Sequence, residues 1–255
     1  MDFTAFKQRV KARFNLDLES YKEKQLQRRI MSLMGRRNIT DFAVYFRLLE
    51  GDAQARSEFF DYITINVTEF FRDPRAFATL EKDVLPRLLA GKPVLKVWSA
   101  ACSNGAEPYS VTILLDELSP GRRHRIEATD IDTRILQVAT AGRYAADLLR
   151  NVSPARRTKY FRAENGTFAV VEDIKRRVNF RRHDLLTDAY GTGYDLIVCR
   201  NVQIYFTREA QYRINSGFAR ALNPGGVLFL GASESIFEYR ELGFERVAMS
   251  FYIKR

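Results

Sequence analysis

The sequence predicts an α/β fold, a mostly parallel sheet with helices on both faces, preceded by an all-helical segment. Three observations carry this. Over residues 1–75 apolar side chains recur at helical spacing. From about residue 94 short apolar runs alternate with amphipathic stretches, the βαβ rhythm of a parallel sheet. Between the second helix and third strand of that rhythm, Asn165-Gly166 separates two strand-like runs, which predicts a small antiparallel insertion at about 155–180.

In the first segment, Phe3, Phe6, Val10 and Phe14 share one helix face, and Asn15-Leu16-Asp17 ends it. A second helix is expected to start near Leu18–Tyr21, with Leu26, Ile30 and Leu33 on its apolar face. Lys22, Gln25, Arg29, Ser32 and Arg36 form a second face that is basic and has no acidic member. Thr40 or Asp41 caps the next helix, Phe42 to Leu49, and another runs from about Arg56 to Ile65. Residues 76–93 read as a linker helix ahead of a domain spanning 94–255. There the expected strands are Val94–Trp98, Arg125–Thr129, Val178–Arg181, Tyr194–Cys199 and Gly226–Gly231, with Phe244–Ile253 as a final hairpin arm. The helices are Tyr109–Leu118, Thr133–Ala141 and Glu209–Leu222.

Composition narrows the function classes. No apolar run approaches the roughly 18 residues of a membrane span, and the N-terminus lacks a secretory pattern. Cys102 and Cys199 read as reduced, buried thiols, and two histidines are too few for a His-based metal centre, so no metal is expected. These features suit a cytoplasmic protein, with a monomer as the default. The formal net charge of +10 implies an anionic partner without naming one.

Open parallel sheets bind ligands beyond the carboxyl ends of their strands. After the first strand, Ser99 to Pro108 is a turn of small residues that lets backbone approach a ligand closely. It is not a GxGxxG phosphate loop. After the second strand, Asp130 lies 25 positions beyond Gly105, where a ribose diol is gripped; the alternative is that Asp130 only caps the following helix. Asp184 follows the third strand, within reach of an adenine edge. Cys199-Arg200-Asn201-Val202-Gln203-Ile204-Tyr205-Phe206 leaves polar groups beyond the fourth. Four polar strand ends without a phosphate loop fit a nucleoside that carries no phosphate, such as S-adenosylmethionine.

Thr64-Ile65-Asn66-Val67-Thr68-Glu69-Phe70-Phe71-Arg72, Trp98 to Ser110, Ala128-Thr129-Asp130-Ile131-Asp132 and Cys199-Arg200-Asn201 to Tyr205-Phe206 together resemble the chemotaxis receptor methyltransferase family (CheR), in order and spacing, over nearly the whole chain. The resemblance implies a Rossmann-like class I S-adenosylmethionine methyltransferase domain, a three-stranded β-subdomain and an N-terminal all-helical domain. It implies methyl transfer to glutamate side chains of chemoreceptors, with S-adenosylhomocysteine as product. It places Asn66, Thr68, Arg72, Glu107, Asp130, Asp184, Leu185, Arg200 and Asn201 at the cofactor and sets Arg72 and Tyr205 beside the transferred methyl. For Arg72 the alternative is an ion pair with Asp73 or Glu69, and for Tyr205 a packed aromatic. Asn104 and Ala106 stand where the family more often has Thr and Glu, and Gln203 where it is usually apolar.

The basic face of Lys22, Arg29 and Arg36 then offers a docking surface for the Glu-rich receptor coiled coil, which would recruit the protein to membrane receptor arrays without insertion; the alternative is a solvated basic face. The tight Glu164-Asn165-Gly166-Thr167 loop lacks the insertion that serves some relatives to hold a receptor C-terminal peptide, so no tether is expected. Two alternatives remain. One is a methyltransferase of the same fold acting on a small molecule or nucleic acid, although no base-binding motif or basic aromatic stripe is present and no nucleic acid is expected. The other is a non-catalytic module that senses S-adenosylmethionine or a nucleotide.

Overall fold

The computed structural model describes residues 1–64 and 68–255. The chain forms two compact units, Met1–Asn66 with Ile204–Arg213, and Val67–Gln203 with Ile214–Arg255.

The first unit holds α1 (Phe3–Phe14), α2 (Glu23–Arg36), α3 (Phe42–Gly51) and α4 (Ala53–Thr64). Asp2 caps α1 by accepting the Ala5 N–H at 2.8 Å, and Asn15, left-handed at φ 53°, ends it. Asp41 caps α3 through the Ala43 and Val44 amides. The second helix begins later than its apolar pattern suggests. Asp17 accepts from the Glu19 amide and the Ser20 hydroxyl, a local turn that competes with helix, while Leu16 and Leu18 are buried. The core centres on Phe6, which is fully buried with its ring 5.3 Å from Phe42 and 6.2 Å from Phe59. The segment from Ile204 joins this unit by backbone: Lys22 N–H donates to the Tyr205 carbonyl at 2.9 Å, and Thr207 N–H to that of Ser20 at 2.9 Å.

The second unit opens with an unbroken helical stretch over the segment read as a linker helix, α5 (Pro74–Thr79) passing through a π-helical turn at Leu80–Val84 into α6 (Leu85–Gly91). Then come β1 (Lys96–Ala100), α7 (Ala106–Leu118), β2 (Arg125–Asp130), α8 (Thr133–Ala141), β3 (Arg143–Tyr144), α9 (Pro154–Tyr160), β4 (Phe161–Glu164), β5 (Thr167–Val170), α10 (Glu172–Lys175) and β6 (Val178–Arg182). The chain continues through β7 (Tyr194–Cys199), α11 (Arg208–Ala221), β8 (Leu222–Leu230), β9 (Phe244–Ala248) and β10 (Phe251–Lys254).

Among the described residues, seven strands form one sheet in the order β6-β2-β1-β7-β8-β10-β9. The first five are parallel; β10 and β9 add antiparallel, as the hairpin reading expects. A second sheet, β3-β5-β4, is the small antiparallel insertion. Its first strand, Arg143–Tyr144, precedes the segment that the Asn-Gly pattern marks, because a two-residue strand carries no readable alternation. From β1 the chain works outward to β2 and β6 on one side and to β7 and β8 on the other. The carboxyl ends of β1 and β7 therefore flank the crevice where such sheets bind ligands.

Phe6→Ala should cost about 3–5 kcal/mol of stability by emptying the centre of the helical core. Urea denaturation followed by far-UV circular dichroism measures it; a loss below about 1 kcal/mol would show that this ring is not the packing centre.

Candidate functional site

The turn after β1 is shaped by its backbone. Ala101, Ser103 and Gly105 all take positive φ, at 61°, 50° and 85°. Gly105 cannot be replaced without displacement, since a Cβ there would stand 2.9 Å from the Ala139 Cβ. Cys102 N–H donates to the Thr129 carbonyl at 2.8 Å, which ties the turn to the end of β2. Asn104 Oδ1 accepts the Ala106 amide at 3.1 Å, and its carbonyl accepts the Tyr144 hydroxyl at 2.7 Å, so Asn is a working residue in this turn. Ala106 is fully buried at the start of α7.

Three carboxylates stand at neighbouring strand ends. Glu107 Oε1 accepts the Ser99 hydroxyl at 2.9 Å, and its Oε2 pairs with Arg200 at 3.5 Å. Asp130 accepts the Ser103 amide at 2.8 Å and the Asp132 amide at 3.1 Å. Helix capping falls instead to Asp132, which accepts from the Arg134 and Ile135 amides. Asp130 is therefore not spent on the cap. Asp184 Oδ1 accepts the Leu186 amide at 2.8 Å, while its Oδ2 is buried with no hydrogen-bond donor. Burial raises the pKa of all three, that of Asp130 to about 6. Leu185 is half-buried, and its carbonyl accepts the Tyr190 hydroxyl at 2.7 Å.

Arg200, just past β7, reaches the linker segment. Its Nη2 donates to the Arg72 carbonyl at 2.9 Å and lies 3.8 Å from Asp73, and its guanidinium lies 4.6 Å from the Phe229 ring centroid. Glu69 pairs with Arg150. Phe70 and Phe71 fix the same segment: Phe70 N–H donates to the Leu148 carbonyl at 3.1 Å, and Phe71 N–H to the Ser110 hydroxyl at 3.0 Å. Both Arg72 and Thr68 are half-buried.

Gln203, polar where an apolar residue is usual, is buried, and its amide donates to Asn215 Oδ1 at 3.1 Å. The substitution comes with its own hydrogen-bond partner. A residue that the sequence reading passed over is Glu234, buried past β8; its only signal is an acid in a small-residue run after a strand, Gly231-Ala-Ser-Glu234.

The expected residues thus divide. Arg200 meets both Glu107 and the backbone carbonyl of Arg72, Asp130 holds the turn that leads into α7, and Asp184, Leu185 and Asn201 follow the neighbouring strands. Asn66 lies outside the described residues. Tyr205, Lys22, Arg29 and Arg36 belong to the first unit. There Lys22 and Arg36 are exposed, whereas Arg29 is half-buried over the Tyr62 ring at 4.5 Å and donates to the Tyr62 carbonyl.

The donor set suits S-adenosylmethionine. Its ribose diol and adenine amine are hydrogen-bond donors and its sulfonium is cationic, and three buried acceptors, one with a free oxygen, complement them.

Comparison with known proteins agrees. The family described as CheR methyltransferase, SAM binding domain, matches residues 66–253, and CheR methyltransferase, all-alpha domain, matches residues 1–64. A protein named chemotaxis protein methyltransferase from Listeria innocua is 42% identical over 99% of this chain and 97% of its own length. One of the same name from Klebsiella aerogenes is 33% identical over 99% of this chain and 86% of its own. Chemotaxis protein methyltransferase 1 of Pseudomonas aeruginosa is 35% identical over 92% and 90%. With both domains matched and relatives aligned over most of the chain, the protein belongs to the CheR methyltransferase family, with S-adenosylmethionine as its cofactor.

Proposed function

We propose that this methyltransferase esterifies glutamate side chains of chemotaxis receptors, working in the cytoplasm at receptor arrays. The observation that carries this reading is the match to chemotaxis protein methyltransferases through both domains.

The chemistry asks little of acid–base groups, since a glutamate is already ionised near neutral pH. When bound, S-adenosylmethionine would supply a methyl activated by its sulfonium, passed to the acceptor oxygen with the electron pair of the sulfur–carbon bond left on sulfur. The chain's work is to bind, align and exclude water. Asp130 accepts the ribose diol, and Asp184, with its uncommitted oxygen, an adenine donor. Thr68, Glu107, Leu185, Arg200 and Asn201 complete the cofactor side, with Asn66 assigned by resemblance alone. Arg72 and Tyr205 are each assigned, by resemblance alone, to orienting the acceptor carboxylate. Lys22, Arg29 and Arg36 draw in the acidic receptor surface, the exposed Lys22 and Arg36 by direct attraction and the half-buried Arg29 by shaping the face. The protein acts as a monomer and without a receptor tether peptide.

With tritiated S-adenosylmethionine and receptor-bearing membranes, base-labile methyl should appear on the receptor. Arg72→Ala and Tyr205→Phe should each lower that rate by about tenfold or more; full activity in either removes that residue from the site. Lys22→Ala with Arg36→Ala should raise KM for the receptor several-fold at low salt, an effect that shrinks at high salt; a salt-independent change argues against electrostatic docking. Cofactor affinity should depend on pH. Asp130, with its pKa near 6, must be ionised to accept both hydroxyls, so Kd should fall as pH rises from 5 to 7 and level off above. Calorimetry across that range tests it, and a flat profile would remove Asp130 from the cofactor.

A further inference from the structure

The segment beyond β7 is held by a carboxylate from the loop past β8. Glu234 Oε2 accepts the amides of Asn201 at 2.7 Å and Gly231 at 2.8 Å. Its Oε1 accepts those of Val202 at 3.0 Å and Gln203 at 2.7 Å. Three successive N–H groups of one loop converge on one anion. Such a concavity of backbone amides is an anion site, and here the protein fills it with its own side chain. Asn201 takes the left-handed conformation, φ 62°, that this convergence requires.

The surroundings are cut to admit the carboxylate. A Cβ on Gly231 would stand 2.6 Å from Glu234 Oε2 and 3.0 Å from the Asn201 amide nitrogen. Glu234 itself is 6% exposed, so its carboxylate is largely shielded from water. Immediately before the clamped amides stands Arg200, whose side chain pairs with Glu107 and the Arg72 carbonyl. The direction of that side chain follows from the backbone that Glu234 fixes.

We propose that Glu234 is a positioning residue for cofactor binding, acting through the Arg200–Gln203 segment. This rests on the reading of Arg200 and Asn201 as cofactor-side residues. Glutamine is the informative replacement. It keeps the shape but presents an amide donor where two N–H groups already point, so part of the clamp opens. Alanine empties the site, and a small carboxylate supplied in solution has room to refill it.

The test is calorimetric binding of S-adenosylmethionine, at a temperature where near-UV circular dichroism shows each variant folded. Glu234→Gln should bind about tenfold more weakly than wild type. Formate, against chloride at equal ionic strength, should return about threefold of the affinity lost by Glu234→Ala. A structural weakening alone would not distinguish the two anions. Wild-type affinity in Glu234→Gln, or equal response of Glu234→Ala to both anions, overturns the proposal. Arg200→Ala separates the two readings: wild-type affinity there sinks the assignment of Arg200, whereas wild-type affinity in Glu234→Gln sinks the clamp alone. Receptor methylation does not enter the measurement, so its absence in wild type would fault the substrate and leave this inference standing.

Discussion

One buried guanidinium is the constraint on which the catalytic unit is organised. Arg200 cannot shed its charge, and at 7% exposure it must find partners within the protein. It finds a carboxylate on α7, a carbonyl in the linker and an aromatic face on β8. Those three contacts fix how the linker lies against the sheet, because moving any of them would strand a buried cation. The linker's own anchors, Phe70 against Tyr144 and Phe161 at 4.8 and 5.0 Å, then connect this point to the β-subdomain.

The carboxylates of the crevice show the opposite economy. Burial pushes Glu107, Asp130 and Asp184 toward protonation, a cost carried by the protein in the absence of a ligand. A hydrogen-bond donor or cation brought to such groups would relieve a tension already present. Fixed acceptors of this kind need little rearrangement when the ligand arrives, which is the basis of electrostatic preorganisation.

Much of this was legible in the chain. The alternation of apolar runs located the parallel strands to within a few residues, since strands buried on both faces leave continuous hydrophobic stretches. The place of Asp130 at the end of β2 is readable because its spacing from the turn is set by one helix and one strand. α2 starts later than its apolar pattern indicates because the side-chain hydrogen bonds of Asp17 outweigh a pattern that favours helix. The pairing of Gln203 with Asn215 was hidden, since twelve positions and a change of element separate them. Glu234 was hidden more deeply: it answers amides some thirty positions upstream, and no local pattern announces a carboxylate whose partners are backbone. Arg29 shows that helical spacing assigns a face but not the direction of a long side chain, which here turns onto Tyr62.

The chain contains one tryptophan, and its placement has a practical meaning. Trp98 lies fully buried in β1, one residue before Ser99, which holds Glu107. Its indole N–H donates to the Thr129 hydroxyl at 2.9 Å, one residue before Asp130. The edge of its ring meets His183, the neighbour of Asp184, at 5.3 Å. All the protein's indole emission therefore originates from one buried ring, set among His183, Tyr190, Tyr194 and Phe218. The fold carries its own optical gauge, whose colour and intensity follow the packing and polarity around β1 without any attached label.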